Sequence, residues 1–155
     1  MEVNNYPNWL VSVGQAKRLK KIGFDVPCQF FLPIKMYEDF DTRELEFDFQ
    51  KENHNESVDY WSIPSFEQAF EWFRKKGLYS FILFDNTYPS AESETFSFEI
   101  RKINRKLIYS SEDNSTNEFG SYEAAREALI NRLIEVYKMS NVNNENNKRN
   151  TTERV

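Results

Sequence analysis

The chain predicts an α+β fold, mostly antiparallel sheet with three helices, in the order α-β-β-α-β-β-β-α and closed by a disordered C-terminal tail. Three observations carry this. Helix starts of one kind recur at Ser12-Val13-Gly14-Gln15-Ala16, Ser65-Phe66-Glu67-Gln68-Ala69 and Ser121-Tyr122-Glu123-Ala124-Ala125. Short runs of strand character, alternating or wholly apolar, lie between them. A length of 155 residues suits one core, so residues 1–139 read as a single domain and 140–155 as an Asn-rich flexible tail.

Each serine hydroxyl is placed to accept a free N–H of the first helical turn, and a Gln or Glu side chain to bond back to the serine N–H. The first helix spans about Val13 to Ile22, with Val13, Ala16, Leu19 and Ile22 as a narrow apolar stripe and Gly23 as a left-handed stop. Its cations Lys17, Arg18, Lys20 and Lys21 fall on the exposed side and toward the C-terminus, where the helix dipole favours them. A strand follows at Cys28–Leu32. Residues 44–50 alternate, with Leu45, Phe47 and Phe49 on one face and Glu44, Glu46, Asp48 and Gln50 on the other, the pattern of a half-buried strand with a carboxylate row toward solvent.

Tyr60-Trp61-Ser62-Ile63-Pro64 reads as the lead into helix two, about Phe66 to Lys76. Its core face is Phe66, Ala69, Phe70 and Phe73; Trp72 lies off that stripe and Gly77 is the stop. Leu78–Phe84 is almost wholly apolar and reads as central or covered on both sides. Thr95–Ile103 alternates, Asn104-Arg105 is a turn, and Lys106–Ser110 completes a hairpin. Helix three spans about Tyr122 to Met139, with Tyr122, Ala125, Leu129, Leu133 and Val136 facing the core. Six asparagines and few apolar residues in the last sixteen positions predict the tail.

Composition narrows function. The single cysteine, Cys28, excludes an internal disulfide, and with one histidine, His54, a structural zinc site has too few of its usual ligands. Cys28 reads as a buried structural thiol and His54 as a solvated loop residue; a nucleophile–base pair of the two is the reactive alternative. Four glycines, with no phosphate-cradling loop, metal-ligand cluster or nucleophile elbow, point to a non-enzymatic protein without a cofactor. No apolar run reaches the length of a membrane span and the N-terminus lacks signal-peptide character, so a soluble, cytoplasmic protein is expected.

The net charge of −5 is unevenly spread. Residues 37–60 hold nine acids against Arg43 and Lys51, a net of −7, while residues 1–36 carry +3. A domain-wide basic footprint for nucleic acid is absent.

Residues 66–138 share the α-β-β-β-α order of double-stranded-RNA-binding domains, but the last helix opens on Ser121-Tyr122-Glu123 rather than on a basic cluster. At the level of whole motifs the chain resembles a group of small uncharacterised proteins of bacterial phages and integrated mobile elements. The matching pieces are Val11-Ser12-Val13-Gly14-Gln15-Ala16-Lys17 through Gly23-Phe24-Asp25-Val26-Pro27-Cys28, then Tyr60-Trp61-Ser62-Ile63-Pro64-Ser65, then Ser121-Tyr122-Glu123-Ala124-Ala125. The acidic insert and the tail depart from that pattern. The resemblance implies an accessory protein of a mobile element and supplies no catalytic residues to carry over.

Two functional expectations follow. In the first, the protein occupies a host protein or nucleoprotein, such as a CRISPR effector with a basic groove. Asp39, Asp41, Glu44, Glu46 and Asp48 would mimic phosphate, and Tyr60, Trp61 and Trp72 would anchor the contact. In the second it binds RNA or DNA directly through Lys17, Arg18, Lys20 and Lys21 and through the hairpin cations Arg101, Lys102, Arg105 and Lys106. Against both stands the plain reading of these aromatics as core and these charges as a solvated face.

Overall fold

The first two serine starts form complete capping boxes in a computed structural model of the chain, which describes residues 6–33, 45–85, 95–112 and 118–152, with side chains to Asn141. Ser12 caps α1 (Val13–Lys21) and Ser65 caps α2 (Phe66–Lys75), each accepting from a Gln N–H and donating its own N–H back to that Gln side chain. Both glutamines also tie their helix to a distant segment: Gln15 Nε2 donates to the Glu127 carbonyl at 3.3 Å and Gln68 Nε2 to the Pro27 carbonyl at 3.2 Å. The third start is simpler. Ser121 accepts from Ala124 N–H at 3.2 Å, and alanine there has no side chain to return the bond.

Gly23 ends α1 as expected. At φ +84° its N–H bonds the Lys20 carbonyl, and the next N–H, of Phe24, bonds that of Leu19, which closes the helix with two carbonyls satisfied and Phe24 buried. Gly77 holds the same φ after α2.

Among the described residues six strands form two three-stranded antiparallel sheets. The first has the order β2-β1-β3, from β1 (Cys28–Pro33), β2 (Glu46–Glu52) and β3 (Tyr60–Ile63). A single 3-10 turn, His54–Glu56, joins β2 to β3. The second has the order β4-β5-β6, from β4 (Leu78–Asp85), β5 (Thr95–Lys102) and β6 (Leu107–Ser110). The α+β class therefore holds, with one strand more than the sequence predicts. The segment expected only to lead into α2 is β3, which pairs with β1 from Phe30↔Ile63 to Pro33↔Tyr60. At four residues it is too short to show a period.

The core is one cluster contributed by both sheets and all three helices, with Val11, Leu19, Phe24, Ile63, Phe73, Ile100, Leu129 and Leu133 at its centre. α3 (Tyr122–Thr152) buries a wider stripe than predicted: Ile130 and Ile134 are fully buried and Tyr122 is exposed. It touches α1, α2 and the second sheet, so more than one side of it meets protein. Its backbone runs past Met139 to Thr152, while Val136 and Tyr137 are the last of its described side chains in or against the core.

β4 corrects another expectation. It is an edge strand, and Phe81 and Phe84 on its two sides are exposed. Continuous hydrophobicity here comes with one edge that no described strand pairs and with exposed rings on the sheet.

Candidate functional site

The strand read as half-buried departs most from its sequence pattern. Alternation in β2 is real, because Phe47 pairs with Phe30 and Glu46 with Phe31, so Phe47 shares a face with Phe30 and Glu46 lies on the other. The expected apolar burial is met only by Leu45, which packs against the core. Phe47 is 45% exposed and Phe49 88%. Phe30 also pairs with fully buried Ile63, so this face belongs to the core at β3. α1 packs against β3, and the face opens toward β2.

The N-terminal segment extends the opening. Phe66 N–H bonds the Trp9 carbonyl at 3.1 Å and Val11 N–H bonds that of Pro64 at 3.0 Å, so residues 9–11 run beside the start of α2. Leu10 and Val11 turn inward and Trp9 outward, at 48% exposure. The outcome is a continuous aromatic row. Trp9 meets Phe30 at 5.3 Å, Phe30 meets Phe47 at 5.1 Å and Phe47 meets Phe49 at 4.9 Å, all edge-to-face. Sequence reasoning missed Trp9 and misplaced Phe47 and Phe49. The only signal would have been a surplus of aromatic positions over helix surface to cover them.

The aromatic anchors expected from sequence are held by the fold. Trp72 is 2% exposed, and its indole N–H donates to Asp25 Oδ1 at 2.7 Å. This corrects the expectation that it meets a partner; α2 is flanked there by Phe24 and Tyr137. Trp61 packs against the core with the Lys17 ammonium 4.2 Å above its ring. Tyr60 sets its ring edge against Phe31 at 5.4 Å.

The carboxylate row is divided. Asp39, Asp41 and Glu44 lie outside the described residues. Glu46 is exposed. Asp48 is committed locally: Oδ1 accepts from Gln50 N–H at 2.8 Å, and Oδ2 lies 3.5 Å from His54 Nε2. His54 is not a solvated loop residue, since its ring stacks on Phe31 at 4.0 Å and little of it meets solvent. Cys28 is buried as expected, its thiol directed to the Val26 carbonyl at 3.3 Å. Burial pushes this thiol up to about 12, while the Ser62 hydroxyl and the Lys51 charge pull the other way. An inert thiol is the result.

The basic groups part company in the same way. In α1, Lys20 Nζ donates to the Ser57 carbonyl at 2.5 Å and the Tyr60 carbonyl at 2.6 Å, locking the helix to the turn before β3. Burial pushes this ammonium below its ordinary value, against the pull of Asp59. Arg18 donates to Asn131 Oδ1 at 2.6 Å and pairs with Glu135 at 3.7 Å. Of the α1 cations only Lys21 is exposed, so the helix is not an open basic face. In the β5–β6 hairpin, Arg101 bonds Glu99 at 2.7 Å, whereas Lys102, Arg105 and Lys106 stand exposed.

Among the described residues no group of three His, Cys, Asp or Glu side chains is arranged to hold a metal, and no helix is long and apolar enough to cross a membrane. Comparison with protein-family models, curated proteins and solved structures yields no match in any of the three.

Proposed function

We propose that this chain is a non-enzymatic interaction module, an accessory protein of a phage or mobile element that seats a host protein on the open aromatic face of the first sheet. The observation that carries the reading is the row Trp9–Phe30–Phe47–Phe49, an unbroken chain of edge-to-face rings whose outer members are exposed. Aromatic side chains provide large contact area with few torsions to freeze, and such rows concentrate binding energy. The surplus of acids over residues 37–60, with Glu46 and Glu52 exposed on β2, favours a basic partner. A nucleic-acid-handling defence enzyme of the CRISPR kind has that chemistry in its groove.

The test is affinity purification from host cells with the wild-type chain, a Phe47→Ser/Phe49→Ser variant and a Glu46→Lys/Glu52→Lys variant. A partner held by wild type, lost with the first variant and weakened with the second supports the reading. Equal recovery by all three, or no partner with any, ends it.

A second reading is direct RNA or DNA binding by the β5–β6 turn, favoured by the exposure of Lys102, Arg105 and Lys106. Its test is retardation of single-stranded RNA and duplex DNA in a low-salt gel, where phosphate contacts are strongest.

A further inference from the structure

β4 leaves one side of its backbone without a partner among the described residues. In β5, Phe96 exchanges bonds with Phe119, the Phe98 carbonyl accepts from Ser111 N–H, and Lys102 N–H donates to the Lys106 carbonyl. These residues therefore turn their main-chain groups away from β4. Ser97, Glu99 and Arg101 turn theirs toward it, opposite Leu83, Phe81 and Tyr79. By the same alternation Leu78, Ser80, Ile82 and Phe84 present their N–H and C=O groups to the open edge.

Open edges are usually guarded by charge, proline or a bulge. β2, an edge of the first sheet, carries Glu46, Asp48, Lys51 and Glu52 and pairs with β1 through a register shift. β4 has none of these devices: from Leu78 to Phe84 it has no charge and no proline, and its register with β5 is unbroken. Leu78 is buried and Ile82 packs on the core, so Phe81 and Leu83 stand on the opposite face, and both are exposed.

We propose that this edge pairs with the same edge of a second copy of the chain, antiparallel about a two-fold axis at Phe81, and joins the two second sheets into one. This register uses every outward-facing residue. Ser80 stands opposite Ile82 of the second copy and Leu78 opposite Phe84, each pair exchanging both backbone bonds. On the outer face the two Phe81 rings meet and Leu83 meets Tyr79 of the second copy, in the non-hydrogen-bonded positions where side chains come closest. Charge agrees with the antiparallel sense. α2 leads into β4 and packs on it, with Glu67 and Glu71 in its first half and Arg74 and Lys75 at its end. The axis sets the two α2 helices antiparallel, so the acidic half of each lies toward the basic half of the other. An edge ~26 Å long with a helix beside it on each copy buries ~1,000–1,200 Å² in total, the low end of specific interfaces, so the dimer is reversible. Such a join is closed and stops at two copies. It lies on the second sheet and does not depend on the aromatic face of the first.

The test is sedimentation velocity of the full chain from ~10 to ~500 μM. The expected mass rises with concentration from 18.6 kDa toward twice that value. Phe81→Lys and Phe81→Glu, at a side chain 48% exposed in the single chain, each hold the mass at the monomer value, because like charges then face each other across the axis. A one-to-one mixture of these two variants restores the dimer. Ser80→Pro, which removes an N–H that only the second copy would use, also stays monomeric. Circular dichroism confirms that each variant is folded, and either position alone decides. A wild-type chain that stays monomeric to ~500 μM, as it would if the edge took a strand of another protein, overturns the proposal. So do species larger than a dimer, a dimer that survives Phe81→Lys or Ser80→Pro, and a mixture no more associated than its components.

Discussion

Trp72 donates its indole N–H to Asp25 at 2.7 Å, joining α2 to the turn that follows α1. Asp25 is exposed and Trp72 is not, so the two ends of the bond have unequal alternatives. Removing the acceptor strands a buried donor. Asp25→Ala is expected to lower stability by ~1–2 kcal/mol in urea unfolding, while Asp25→Asn, which keeps an acceptor oxygen, loses less than half of that. Trp72→Ala opens a core cavity and costs ~3–5 kcal/mol.

The opposite holds at Phe49. A ring that is 88% exposed contributes little to folding. Phe49→Ser is expected to change stability by less than ~0.5 kcal/mol, read from thermal melts. A large loss of stability would mean that the ring is covered in solution.

These two residues show how far the sequence could be read. The helix starts, their glycine stops and most strands follow from local chemistry that each segment carries within itself. Burial does not. Phe47 and Phe49 alternate correctly and still face solvent, because periodicity says which side a residue takes and not what lies over that side. Trp72 falls off the apolar stripe of α2 and is still buried, because Phe24 and Tyr137 meet it from other elements. The same reason applies to the cations of α1. Their spacing suggested a dipole effect or a nucleic-acid face, whereas Lys20 and Arg18 bond to groups 37 or more positions away in sequence.

Lys20 and the hairpin cations therefore respond differently to substitution. Lys20→Met removes the donor shared by the Ser57 and Tyr60 carbonyls and is expected to cost ~1 kcal/mol in thermal or urea unfolding. Lys102→Gln/Lys106→Gln leaves stability within ~0.5 kcal/mol, since both side chains are exposed.

Cys28 gives stability a pH dependence at the alkaline end. The folded chain holds the thiol proton up to about 12, against an ordinary value of 9.0. The resulting stabilisation is fully present below pH 9.0 and is lost as pH rises toward about 12, because the unfolded chain ionises first. Relative to Cys28→Ala, the wild type should lose up to ~1.4 kcal/mol per pH unit across that window, measured as the difference in urea stability. A pH-independent difference would place the thiol in contact with water.

The two-way bonding of Gln15 bears on how the chain breathes. Helix N-termini usually open by local fraying, which exposes their first amides to exchange with solvent. Here the amide of Ser12 is held by a side chain whose other end is fastened to the Glu127 carbonyl on α3. Opening the start of α1 therefore strains its attachment to a helix more than a hundred residues further along the chain. Deuterium uptake at Ser12 and Gln15 should be as slow as in the middle of α3, and Gln15→Ala should release the start of α1 alone. The end of a helix becomes one of the last places to let water in.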